Sequence, residues 1–299
     1  MKSDSNNDNN LSQEDFHILK SLLYLDYSDE QAELLKRFLE SGLADNHALK
    51  EIKDSYFKPK QRLWEAILYD YLLKQNISTP TSKNKGPDFT IQNNDKVVRV
   101  EAIATRFGAQ IKPLKKGDNF ENGIINEDKY IERWSTGIYD KTGKFKDYID
   151  NKIINDKDIC VIAISNTTST EAFNFYNDHN EKIPRIIEYL YPLTTQQMVT
   201  NNNGTKRYGQ REHYTKENGS SVPVGVFHKD EYKHISAVLA YNYIGTLGEV
   251  KEWVLVHNIN ANNPLEEGTL NVDQEWVCRT DGVNFTLENL NTKSLDSSS

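Results

Sequence analysis

Cysteine and methionine are scarce in this chain of 299 residues, which has two of each. Two cysteines, Cys160 and Cys278, are too few for the disulfide framework of a small secreted domain or for a structural zinc site. The seven histidines show no HExxH spacing, so a zinc enzyme is not expected. Cys160 lies in an apolar run, which predicts a small buried hydrophobic residue in a reducing compartment.

Long apolar stretches are also missing. The longest, Val97–Ala104 and Cys160–Ile164, fall far short of the roughly 18 to 20 residues of a membrane-spanning helix. The first ten residues are acidic and amide-rich, whereas a secretory signal begins with basic residues and an apolar segment. The sequence therefore predicts a cytoplasmic protein that does not associate with membranes.

Positive charge is in deficit, with 36 basic and 44 acidic residues and a formal net charge of −8. A protein that coats nucleic acid through its bulk charge would be basic, so any nucleic-acid contact is expected in a local basic groove. The segments 106–116, 133–146 and 206–216 are the candidates. GxxxxGK[ST], GxGxxG and GxSxG are absent, which disfavours nucleotide hydrolysis, dinucleotide binding and the usual serine-hydrolase elbow.

Four segments follow from composition and periodicity. Residues 1–10 and 292–299 are predicted disordered tails, 11–57 a helical extension, and 58–291 an α/β domain. In the extension, the capping-box pattern at Ser28 opens a predicted helix that ends at Gly42, and a further helix is predicted over 46–56. Pro59 fits the first turn of another helix, whose apolar residues continue to Leu72 on one broad face.

The remaining pattern predicts a mixed central sheet of about four to six strands flanked by helices. Asp88–Ile91 and Val97–Ala104 form a predicted hairpin, followed by a helix over Tyr130–Ile154 and a strand at Ile159–Ile164 that is buried on both faces. Beyond it, the predicted elements are a helix over 181–193, a functional flap or disordered stretch at 200–221, and strands at 225–227, 235–243 and 253–256.

Two carboxylates of the predicted hairpin, Asp88 and Glu101, are the main candidates for a functional site. Strand alternation places Val98, Val100 and Ala102 on one apolar face and Glu101 on the other. Asp88 begins the neighbouring strand, so pairing within the hairpin brings the two carboxylates close together. Such a pair raises one carboxyl pKa or binds a hard divalent cation such as Mg²⁺, which prefers oxygen ligands.

Each candidate also has a structural explanation. Asp88 follows Gly86-Pro87 and suits a turn residue that bonds the local backbone, while Glu101 in an apolar strand suits an ion pair with Arg99 or a lysine. Glutamate is a good helix former on any solvent face, which explains Glu65 equally well, and a helical lysine such as Lys141 is most often solvated.

These residues resemble the PD-(D/E)xK nuclease superfamily, whose fold is shared by restriction endonucleases. Pro87-Asp88 matches the first metal ligand, Glu101 the second, and Glu65 the acidic residue of the preceding helix. The resemblance implies a restriction-endonuclease-like core and an Mg²⁺ or Mn²⁺ cofactor. The family's lysine would lie two residues after Glu101, where this chain has Ile103. Lysines of the following helix are the candidates to replace it, Lys141 first and Lys144 and Lys146 as weaker alternatives.

A narrower likeness over about residues 58–260 is to a group of uncharacterised bacterial proteins, through RLWEAILYDYLL, GPDFTI, VVRVEAIA, RWSTGIYDK, VIAIS and HISAVLAY. The predicted function is a divergent metal-dependent endonuclease acting on DNA rather than RNA. The catalytic candidates are Glu65, Asp88, Glu101 and Lys141, and the substrate-binding candidates are Arg106, Lys112, Lys115 and Arg133. Asp88 and Glu101 are the predicted metal ligands, with Glu65 as an accessory ligand or a residue that orients water. Two alternatives stay open: a catalytically silent module that binds nucleic acid or a protein partner, and carboxylates that are purely structural. The oligomeric state is open, with a homodimer as one option.

Overall fold

The computed structural model describes residues 29–44, 58–75, 86–93, 95–105, 128–165, 183–200, 206–215, 219–244, 250–280 and 285–291. Several predictions concern other parts of the chain. The two predicted tails, the predicted helix over 46–56 and the basic residues Arg106, Lys112 and Lys115 all lie outside the described residues.

Four α-helices occur in the described ranges: α1 (Asp29–Glu40), α2 (Lys58–Leu73), α3 (Asp128–Asp150) and α4 (Arg185–Leu190). The first three confirm the predicted helices. Gly42, with φ of 75°, supplies the left-handed residue that commonly follows the end of a helix. The fourth is much shorter than the helix predicted over 181–193, because the chain turns at Tyr191 and continues as a strand.

The strands, in chain order, are β1 (Phe89–Asn93), β2 (Lys96–Ala104), β3 (Ile159–Ser165), β4 (Leu193–Thr200), β5 (Lys206–Gln210), β6 (His213–Thr215), β7 (Ser221–Pro223), β8 (Ala237–Ile244), β9 (Val250–His257), β10 (Gln274–Thr280) and β11 (Phe285–Asn289). Seven of them form one sheet in the order β1-β2-β3-β8-β9-β10-β11. Strands β2, β3 and β8 pair in parallel, as do β9 and β10, while β1/β2, β8/β9 and β10/β11 pair antiparallel. The fold class is therefore mixed α/β, with one more strand than the upper limit predicted for the sheet.

Two smaller sheets correct the prediction for the region after α4. Strands β4 and β5 form one antiparallel pair, and β6 and β7 form another. Where it is described, the polar stretch 200–221 has regular structure, so of its two predicted alternatives, a functional flap or disorder, disorder does not hold there. The strand predicted at 225–227 was also wrong: Val226–His228 is a 3₁₀ turn, entered through Gly225 at a φ of 67°.

Helices cover both faces of the central sheet, and the alternation of β2 and β3 divides their side chains between two cores. Val98, Val100 and Ala102 of β2 pack with α1 and α2. Ile103 packs into the core that contains α3 and α4. Every residue of β3 is buried, as predicted for a strand covered on both faces. Glu101 therefore lies on the α3 side, away from the apolar face of β2, as the alternation predicted.

Helix α1 belongs to the same core as α2 and the sheet, since Leu35 and Phe38 are buried there beside Leu63 and Trp64. This part of the helical extension is thus packed into the body of the α/β domain. Within the described ranges, none of the helices combines the length and apolar character required to cross a bilayer.

Candidate functional site

The β1–β2 hairpin sets the first half of the site. Phe89 pairs with Val100, so Asp88, one residue earlier, stands opposite Glu101 on the neighbouring strand. The Asp88 Oδ2 atom accepts a hydrogen bond of 2.8 Å from the backbone N–H of Ala102. Asp88 therefore bonds across the hairpin rather than within its own turn, and its side chain faces the same side of the sheet as that of Glu101.

Helix α3 supplies the other half through two lysines one turn apart. The Lys141 Nζ atom lies 2.5 Å from Glu101 Oε2 and 3.5 Å from Asp88 Oδ2. The Lys144 Nζ atom lies 2.9 Å from the same Glu101 oxygen. Residues three apart on a helix project from one face, which lets both ammonium groups reach the strand. The structure thus brings together Asp88, Glu101 and Lys141, three of the sequence-predicted residues.

Glu101 has no exposed surface, and both of its carboxylate oxygens have partners. Oε2 accepts from the two lysines, and Oε1 lies 3.0 Å from the Tyr148 hydroxyl, which is also 2.9 Å from the Gly86 carbonyl oxygen. Burial, followed by repulsion from Asp88, raises the pKa of the Glu101 carboxyl, and the two lysines oppose this rise. The Tyr148 hydroxyl therefore lies between Glu101 and the turn that precedes Asp88, within hydrogen-bonding distance of both acceptors.

The carboxylates also shift the proton affinities of their neighbours. Burial disfavours the charge on Lys144, but the attraction of Glu101 and Asp88 outweighs it, so the pKa of Lys144 is raised. Burial, with the nearby Glu101 charge, raises the pKa of the Tyr148 hydroxyl well above its ordinary value. Near neutral pH Lys144 is therefore an ammonium ion and Tyr148 a neutral hydroxyl.

Ile103 lies on the same face of β2 as Glu101. Its side chain packs against α3 at Gly137, where a Cβ atom would lie only 2.7 Å from Ile103 Cδ1. The position two residues after Glu101 is therefore filled by an apolar contact that lets helix and strand approach closely. Arg99 is committed elsewhere, with its Nε atom 2.7 Å from Asp158. Of the two ion-pair partners predicted for Glu101, the structure shows the lysines and not Arg99.

The other predicted residues lie away from these carboxylates or have different partners. Glu65 is on α2, against the opposite face of the sheet, and pairs with Arg62 one turn earlier at 2.7 Å. Arg133 is half-buried on α3, eight residues before Lys141 and so about 12 Å away along the helix axis. The Lys146 ammonium group lies 2.8 Å from Asp150 and is largely exposed.

Tyr148 was not among the predicted site residues, and Lys144 was predicted only as a weaker alternative to Lys141; both contact Glu101. The signal that identifies them is helical spacing: Lys141, Lys144 and Tyr148 stand at positions i, i+3 and i+7, the pattern of a single helix face. A tyrosine at the end of that series also belongs to the apolar core around α3, which hides its polar role in the sequence.

The donor set fits a divalent cation that keeps several of its waters. In the described part of the chain, no group of three or more His, Cys, Asp and Glu side chains is placed to hold a metal. Asp88, directly before β1, and Glu101 on β2 nevertheless stand opposite one another, and both carboxylates offer oxygen ligands on the same side of the sheet. Mg²⁺ is commonly held by one or two carboxylates with water completing its shell, and the two carboxylates meet that requirement.

Comparisons of the chain with protein-family models, with curated proteins and with solved structures found no match. Its function is accordingly inferred from the residues of this site.

Proposed function

We propose that this protein is a divergent metal-dependent nuclease of the PD-(D/E)xK type, hydrolysing phosphodiester bonds of DNA. The observation that carries the proposal is the Lys141 ammonium group, which lies within hydrogen-bonding distance of both Asp88 and Glu101. Two carboxylates and one lysine are the residue types that the superfamily pattern requires. Here the lysine comes from α3 instead of from β2.

In this proposal Asp88 and Glu101 hold an Mg²⁺ or Mn²⁺ ion. Such an ion, when bound, lowers the pKa of a coordinated water and neutralises charge on the phosphate. Lys141 adds positive charge at the point where negative charge develops during hydrolysis. Tyr148 fixes the rotamer of Glu101 through its hydroxyl, and the burial of that carboxylate excludes bulk water from one side of the site.

Substrate contacts outside this cluster remain predictions. Arg106, Lys112 and Lys115 follow β2 directly in the chain, and Arg133 stands two turns before Lys141. Together they would provide the local basic groove that an acidic protein needs to bind nucleic acid. The net charge of −8 predicts that binding outside such a groove is weak and sensitive to salt.

The direct test is cleavage of supercoiled plasmid by the purified protein in Mg²⁺ or Mn²⁺. Asp88→Asn should lower the rate at least about 100-fold, because it removes one of two charged ligands. Asp140→Asn is the matched control, since Asp140 is an exposed aspartate on α3 and should leave the rate unchanged. Equal cleavage by the wild type and Asp88→Asn would reveal a contaminating nuclease and refute the proposal.

A second candidate is a catalytically silent module of the same type that binds nucleic acid or a protein partner. The observation that favours it is the saturation of Glu101, which is fully buried and already bonded to two lysines and a tyrosine. Calorimetric titration with Mn²⁺ separates the two candidates. Heat of binding that disappears in Glu101→Ala supports the nuclease, whereas retained nucleic-acid or protein binding without any metal binding supports the silent module.

A further inference from the structure

Two ammonium groups converge on a single carboxylate oxygen in this site. Lys141 and Lys144 place their Nζ atoms 2.5 Å and 2.9 Å from Glu101 Oε2. With Asp88 included, two carboxylates face two lysines, so their formal charges balance. Both ammonium groups nevertheless contact the same oxygen, Oε2 of Glu101, although the four groups together are neutral.

The two lysines differ in how firmly they are held. Lys141 bridges both carboxylates and its side chain is 16% exposed, whereas Lys144 contacts Glu101 alone and is 42% exposed. The Lys144 ammonium group also lies 5.5 Å from the centre of the Tyr148 ring, a cation–π arrangement that is compatible with solvent access. Lys144 can therefore move away from Glu101 into solvent, whereas Lys141 is mostly enclosed by its neighbours.

We propose that Lys144 is a phosphate-binding residue. Its side chain is paired with Glu101 until a divalent ion binds the carboxylates, and it then swings away to form an ion pair with the substrate phosphate. The inference rests on the proposed nuclease function and adds a residue to it. A third cation at Glu101 Oε2 would be repelled by both lysines, and the exposed one has a flexible four-carbon stem with which to move. The anion newly available next to α3 is the phosphate of the bound nucleic acid.

This role predicts effects of opposite sign on two affinities. While Lys144 rests on Glu101 it competes with the metal, so its removal should tighten metal binding in the absence of nucleic acid. Once moved, it contacts the phosphate, so its removal should weaken nucleic-acid binding. A lysine that only supported the fold would weaken both, or neither.

The experiment uses the full chain and three variants: Lys144→Met, Lys144→Arg and the control Lys74→Met. Lys74 directly follows α2, which covers the other face of the sheet, and its ammonium group pairs with Asp70 and not with the carboxylates of the site. Calorimetry measures Mn²⁺ affinity without nucleic acid. Fluorescence anisotropy measures the affinity for a phosphorothioate DNA duplex, which resists cleavage, in the presence of Mn²⁺. Thermal melting checks folding, and Lys144→Gln replaces Lys144→Met if the latter does not fold.

Lys144→Met should bind Mn²⁺ about fivefold more tightly and the duplex about tenfold more weakly than the wild type. Lys144→Arg keeps a cation for the phosphate and should retain duplex affinity to within about twofold. Lys74→Met should match the wild type in both measurements. If the wild type binds Mn²⁺ and cleaves DNA but Lys144→Met shifts neither affinity, or weakens Mn²⁺ binding, the role of Lys144 is refuted and the nuclease stands. A wild type that binds no Mn²⁺ refutes the nuclease and the role of Lys144 with it.

Discussion

Replacing Lys141 with methionine removes the ammonium group that bridges the two carboxylates while keeping a side chain of similar length. Glu101 would then be a fully buried carboxylate with one ammonium partner in place of two. Removing one partner of a buried ion pair generally costs about 3 to 5 kcal/mol. Lys144 at 2.9 Å and Tyr148 at 3.0 Å still solvate Glu101, so we expect a loss of about 2 to 3 kcal/mol in the free energy of unfolding.

The assay is urea unfolding followed by circular dichroism at pH 7 in metal-free buffer. For a chain of this length the expected loss corresponds to a fall of roughly 5 °C in Tm. Lys146→Met provides the scale, since the Lys146 side chain is 67% exposed and the loss of an exposed ion pair should change the free energy of unfolding little. If Lys141→Met destabilises the protein no more than Lys146→Met does, the buried ion pair does not support Glu101 and the electrostatic description of the site is wrong.

Three further predictions concern pH, thiol reactivity and packing. Because the pKa of Glu101 is raised on folding, the stability linked to its protonation is present below its unfolded pKa of about 4.3 and is lost as pH rises through the folded pKa. Urea titrations from pH 4 to 8 should therefore show the wild type losing stability relative to Glu101→Gln, and a constant difference would contradict this. Burial raises the pKa of both Cys160 and Cys278 to about 12, so at pH 8 Ellman's reagent should label them only after unfolding, and rapid labelling of the native protein would be inconsistent with their burial. Gly137→Ala should lower the free energy of unfolding by about 1 kcal/mol less in the Ile103→Val background than in the wild type, because Ile103→Val removes the Cδ1 atom that the new Cβ would meet. A double-mutant cycle with no coupling energy would disprove the contact.

The core of the hairpin and its flanking helices could be predicted because the signals there are local. Alternation along β2 placed Glu101 opposite the apolar face, and the uninterrupted apolar run of β3 indicated burial on both sides. The polar stretch 200–221 was less predictable, because its strands belong to two small antiparallel sheets outside the central sheet and have little apolar alternation. A composition rich in turn residues fits a short hairpin as well as it fits disorder.

Part of the site could also be predicted from the sequence, but its bonding could not. The sequence predicts that Asp88 and Glu101 lie on paired strands and that Lys141 lies on the helix that follows them. That Glu101 would bond to Lys144 and Tyr148, and not to Arg99, depends on how α3 lies across β2. Arg99 is nearer in sequence, yet it is drawn to Asp158, which immediately precedes the adjacent parallel strand β3.

The α/β character, the carboxylate-bearing hairpin and the apolar residue at position 103 follow from the sequence alone, because each depends on residue type and periodicity over a few positions. The pairing of Glu101 with two lysines of α3 depends on the packing of that helix against β2. The physical reason is the close approach of helix and strand at Gly137, which lets Ile103 fill the gap and brings the next turns of the helix over Glu101. A buried carboxylate needs compensating charge, and the ammonium groups that contact Glu101 belong to residues about 40 positions further along the chain.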